Sequence, residues 1–128
     1  MTDQETHATL PNGLPAPPVP NGLRDRLRDY PSHIQKIQSE LIDVVVNPLK
    51  GTPLFEQAIW ALEGCLEEFI QQARDELAAA IESGDAATIE HATQKELLML
   101  HSRSAGAWKM KGLMEYFDGM KYEVGHGQ

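Results

Sequence analysis

A chain of 128 residues has the size of one domain, and a net charge of −8 with a pI near 5.0 argues against nucleic-acid phosphates as the main partner, because that contact rests on concentrated Lys and Arg. The single cysteine, Cys65, excludes an internal disulfide and fits a reducing, cytoplasmic setting. The longest apolar run, Val44 to Val46 with Leu41 and Ile42 across Asp43, falls far short of the ~20 residues a bilayer requires. Met1 to Leu10 lacks the basic cluster and apolar stretch of a signal peptide, so a soluble protein with no membrane partner is expected.

Residues 1–22 carry Pro11, Pro15, Pro17, Pro18 and Pro20, and Pro11-Asn12-Gly13-Leu14 recurs as Pro20-Asn21-Gly22-Leu23. Such composition buries too little apolar surface to offset chain entropy and predicts a disordered, polyproline-like arm. The duplicated tetrapeptide keeps a docking role open beside that of a passive tail. Asn21 is a candidate cap for a short turn, Leu23 to Tyr30, in which Arg24, Arg26 and Arg28 alternate with Asp25 and Asp29 and largely neutralise them.

Pro31 suits the first turn of a helix, where its missing N–H costs nothing. Ile34, Ile37, Leu41 and Val44 then recur at spacings of three, four and three, which marks one buried helical face. Asn47-Pro48 ends that helix, because the residue before proline is pushed out of the α region. Thr52-Pro53 reads as a cap and first helical residue of the next. From there Phe55, Ile59, Leu62, Leu66, Phe69, Ala73, Leu77 and Ala80 form a near-heptad stripe that persists to Ser83-Gly84. Gly84 can take the left-handed turn that ends a helix, and Asp85 caps the one that follows, so the two run antiparallel.

A last helical stretch runs from Ala86 to Asp118, with Gly119 as its expected stop. Ile89, Leu97 and Leu100 define its first face, and Met110, Leu113, Phe117 and Met120 its second. The small residues of Ser102 to Ala107 lie between them. They predict either a break, with Ser104 capping a fresh helix, or one continuous helix that a neighbour approaches closely. The expected fold is all-α: an elongated antiparallel hairpin or bundle of three to four helices over residues 23–120, between the arm and a flexible tail at 121–128.

A helix from Pro53 to Ser83 spans ~46 Å at about 1.5 Å per residue, more than a compact globule accommodates. Its stripe needs more cover than one short helix supplies. A second copy of the chain is the expected cover, a dimer first, with Phe55, Ile59, Leu62, Leu66, Phe69 and Leu77 as the oligomer core.

Chemistry-bearing constellations are absent. Between Thr52 and Ser83 seven acids stand against Arg74 alone. Of these, Glu56, Glu63 and Glu67 share a stripe with Gln71 and Arg74 opposite the apolar face, which describes a solvated surface rather than acid/base catalysts. Glu123 and His126 have the spacing of a di-iron pair but lie in a glycine-flanked tail, and His91 and His101 diverge on a helix, so no metal or other cofactor is expected. Cys65 sits beside Leu62, Leu66 and Phe69 as a small buried hydrophobe without the cationic neighbour a nucleophile needs. Gly-x-Ser-x-Gly is absent, and no enzyme is expected.

Trp60 falls among Glu56, Glu63 and Glu67, with Gly64 one turn later. Either it is an interface anchor or the bundle wraps far enough to bury it. Trp108, Met110, Met114 and Phe117, interleaved with lysines, form a second adaptable surface or else core. The residues expected to meet a partner are therefore Trp60, Gly64, Trp108, Met110, Met114 and Phe117. The function expected is that of a non-enzymatic assembly or adaptor protein that self-associates and binds a protein partner. The alternative is a small acidic regulator or inhibitor presenting a negatively charged helical face to a basic, nucleic-acid-binding partner.

Overall fold

The computed structural model describes residues 9–10, 13–104, 106 and 108–125, with side chains as far as residue 119. Among these residues five helices follow in order: α1 (Asn21–Arg26), α2 (Pro31–Val46), α3 (Leu54–Ser83), α4 (Ala86–Ser102) and α5 (Lys111–Gly125). No strand occurs among them, and an isolated bridge pairs Thr9 with Pro15. The fold is the all-α, hairpin-based bundle that the sequence predicts.

The 30 residues of α3 form one unbroken rod of about 45 Å. Its stripe is the spine of the core. Leu62, Leu66, Phe69, Ala73 and Ala80 are buried, Phe55, Ile59 and Leu77 are half-buried, and Ala58, Cys65 and Ile70 widen the strip. Gly84, at φ 74, receives the end of α3, and the Asp85 carboxylate accepts from the Thr88 N–H at 2.9 Å to start α4. The reversal lays α4 antiparallel on α3, where three ion pairs cross the seam: Arg103 to Glu67 at 2.9 Å, Arg74 to Glu96 at 3.3 Å and Lys95 to Glu76 at 2.9 Å.

The opposite flank of α3 is covered by α2, through the buried Ile37 and Leu41. Pro31 opens that helix and Asn47 closes it, both as expected. The start of α3 differs from its expected form. Thr52 does not cap it, and Pro53 precedes the first helical residue with no side-chain cap bond. The buried Gln57 amide clasps the loop instead, accepting from the Leu49 N–H at 2.8 Å and donating to the carbonyls of Leu49 and Thr52 at 3.0 and 2.7 Å.

On α4 the inward residues are Ala92, Met99 and Ser102, while Leu97 faces solvent. Of the expected face, Ile89 and Leu100 are half-buried, Leu100 against the core, and only Leu97 turns outward. The buried row is weakly apolar, and Ser102 satisfies its hydroxyl on the Leu98 carbonyl at 2.7 Å. The helix breaks after Ser102, as one of the two expected readings has it, and α5 begins at Lys111. It then runs through Gly119, the expected stop, to Gly125, with Leu113 and Phe117 buried against α3.

Residues 13–20, expected as part of a free arm, lie on the bundle. Ala16, Pro17, Val19 and Pro20 are buried, Gln38 donates to the Pro17 carbonyl, and the Tyr116 hydroxyl donates to the Pro15 carbonyl at 2.8 Å. An extended, proline-bearing segment leaves its carbonyls unpaired, and these two are taken up by side chains of α2 and α5. Residues 1–8 and 11–12 of the arm lie outside the described residues, as does His126.

Candidate interaction surface

The two tryptophans part company. Trp108 is 1% exposed, and its indole N–H donates to the Ser102 carbonyl at 2.7 Å. Its own carbonyl accepts from the Gly22 N–H at 2.8 Å, which ties α1 to the link between α4 and α5. It belongs to the core and presents nothing to a partner, contrary to the sequence expectation. Phe117 is likewise buried, its ring edge-on to Phe55 at 6.2 Å. Met110 is half-buried against the core, and of that group only Met114, 49% exposed, faces outward.

Trp60 is 53% exposed. At 100° per residue it stands about 160° around α3 from Leu62, so the core cannot reach it. Glu56 and Gly64 lie one turn to either side, and Glu63 and Glu67 share the same broad face. Glu67 is held by Arg103, whereas Glu56 and Glu63 have no ion-pair partner among the described residues. A Cβ built on Gly64 meets nothing within 4 Å, so space is left open beside the indole. Trp60 and Gly64 are thus placed together on a free face; Trp108 and Phe117 are not on it.

The oligomer-core residues are accounted for mostly within one chain. Leu62, Leu66 and Phe69 are buried by α2, α4 and α5, which answers the need for outside cover over that length. Exposed apolar surface persists at the hairpin's projecting end, where residues 81–88 are all exposed and Ile81 is 58% exposed.

Sequence reasoning gave His33 no role. Its ring stacks on Phe69 at 4.0 Å and on Tyr30 at 5.6 Å, with Nε2 buried and unpartnered. Burial, then the charge of Lys95, hold its pKa below the ordinary histidine value, while Glu76 and Glu68 oppose that shift. The Lys95 ammonium sits 5.1 Å from the Tyr30 ring centre. Tyr30 and His33 three residues apart, beside the Ile34–Ile37 face, are the signal that marks this stack in the sequence.

Cys65 is buried, and burial pushes its thiol up to about 11, which makes it a packing residue rather than a nucleophile. No group of three or more metal-ligating side chains converges among the described residues. Between α1 and α4 lies a cleft of about 510 Å³ lined by Arg26, Arg28 and Lys109 but also by Asp25 and Asp29, so its charges answer one another. No described helix is long and apolar enough to cross a membrane. Comparison with protein-family models, with curated proteins and with solved structures returns no match.

Proposed function

We propose that the chain is a non-enzymatic helical adaptor that engages a protein partner through the Trp60 face of α3. The observation that carries this reading is a half-exposed tryptophan on the side of a long helix turned away from its own core. Aromatic side chains of this kind contribute disproportionately to binding when a partner desolvates them. Self-association belongs to the same proposal, at the projecting end of the hairpin, where Ile81 stands exposed.

The test is affinity capture with the full chain and with Trp60→Ala, both checked for equal helicity by circular dichroism. A partner retained by the first and lost by the second supports the reading; the same partners on both remove it. In-solution mass separates off the self-association. A value near 14.2 kDa at high concentration counts against it, and a doubled mass that Ile81→Glu halves supports it.

The carboxylates of Glu56 and Glu63, which have no ion-pair partner among the described residues, support a second reading, an acidic regulator that masks a basic, nucleic-acid-binding partner. Steep loss of affinity with rising salt, unaffected by Trp60→Ala, is its signature.

A further inference from the structure

We infer that the open surface at Gly64 beside Trp60 receives a lysine- or arginine-bearing segment of a protein partner, its stem over Gly64 and its cationic head against the indole and the carboxylates of Glu56 and Glu63. This rests on the Trp60 face being the docking surface and adds the partner's chemistry.

Three observations converge on that chemistry. The exposed indole face is the strongest π-acceptor for a cation among the side chains, and guanidinium groups stack on it readily. Among the described residues Glu56 and Glu63 have no ion-pair partner, while the hairpin's own Arg74, Lys95 and Arg103 pair across the α3–α4 seam with Glu96, Glu76 and Glu67. Gly64 stands ten residues inside a helix that glycine weakens, yet nothing packs where its side chain would be. No packing need accounts for it, and the room it leaves suits an aliphatic stem.

The same features choose against other occupants. An acidic or phosphate-bearing ligand meets these two carboxylates and a chain of net charge −8. A second copy brings Arg24, Arg26 and Arg28 interleaved with Asp25 and Asp29, whose acids oppose the same site.

Random dodecapeptides displayed on phage and selected on the full chain provide the test. Enriched peptides are titrated by calorimetry against the unsubstituted chain and three variants. The inference expects peptides rich in Lys or Arg, and a loss of about tenfold or more in affinity with Trp60→Ala. It expects the paired Glu56→Gln and Glu63→Gln change to weaken binding and flatten its salt dependence. Gly64→Ala should weaken binding while raising the melting temperature, a combination that a purely structural role for Gly64 does not give. Enrichment of acidic or uncharged peptides that still depend on Trp60 overturns the inference but leaves the Trp60 face as a docking surface. Failure to enrich, or affinities indifferent to Trp60→Ala, overturns both. A dimer dissolved by Trp60→Ala places a second copy on the Trp60 face and overturns the inference as well.

Discussion

The indole N–H of Trp108 meets the carbonyl of Ser102 at 2.7 Å and closes the break between α4 and α5 over the core. Removing that ring leaves a cavity in the core cluster to which Trp108 belongs and removes the side-chain bond that anchors the α4–α5 link. Trp108→Ala is expected to cost about 3–5 kcal/mol. Trp108→Phe, which keeps most of the volume but strands the Ser102 carbonyl, is expected to cost ~1–3 kcal/mol. Trp60→Ala should stay within about 0.5 kcal/mol, as for other exposed positions. Urea unfolding of the three variants measures the contrast, and equal losses at the two tryptophans would contradict it.

Gln57 is the buried polar hinge between α2 and α3. Its amide serves one N–H and two carbonyls of the loop. Gln57→Ala should destabilise by roughly 1–3 kcal/mol because those loop groups lose their partners. Gln57→Glu should be worse at neutral pH, since a carboxylate can accept from the Leu49 N–H but opposes both carbonyls. It should recover in acid, where the carboxyl can donate again. Thermal melts at neutral and acidic pH read the effect.

His33 titrates against the fold. The native state holds the ring neutral, chiefly by burial and then by Lys95, with Glu76 and Glu68 pulling the other way. The unfolded chain binds a proton near 6.5. Stability from this group is therefore complete above that value and is lost as pH falls below it toward the lower native pKa. The urea midpoint should drop between neutral pH and the onset of carboxylate titration, and His33→Phe, which preserves the stack on Phe69, should flatten that limb. A midpoint that rises as the solution is acidified would exclude this account of the ring.

The long rod and its end were legible in the sequence for a physical reason. The stripe from Phe55 to Ala80 keeps helical spacing without interruption, and Gly84 and Asp85 supply the two end signals whose chemistry is local. Trp60 was legible as displaced from that stripe, because its angle around the helix follows from its position alone. What escaped is tertiary. The buried row Ala92, Met99 and Ser102 is nearly silent in hydropathy, and it lies inward because α4 packs along α3, which no local pattern announces. Trp108 lies in a link with no periodicity, so its burial left no pattern to read. The arm looked too polar and too rich in proline to pack, yet Val19 and Pro20 have a surface waiting for them beside α1 and Trp108.

Cys65 should behave as an inert hydrophobe. Its thiol, pushed up to about 11 by burial, is protonated at neutral pH and shielded from reagent. Its reaction with an aromatic disulfide reagent should proceed at the rate at which the bundle opens and accelerate sharply in denaturant. Stoichiometric labelling of the native chain within seconds would contradict the burial of that face of α3.

The division of labour between the two tryptophans is tested most directly by hydrogen exchange at their indole N–H groups, followed by NMR in heavy water. One signal should vanish at once and be missing from Trp60→Phe, while the other persists as long as the most protected backbone amides. Two slow signals, or a fast one that survives in Trp60→Phe, would contradict the placement of Trp60 on a free face and of Trp108 in the core.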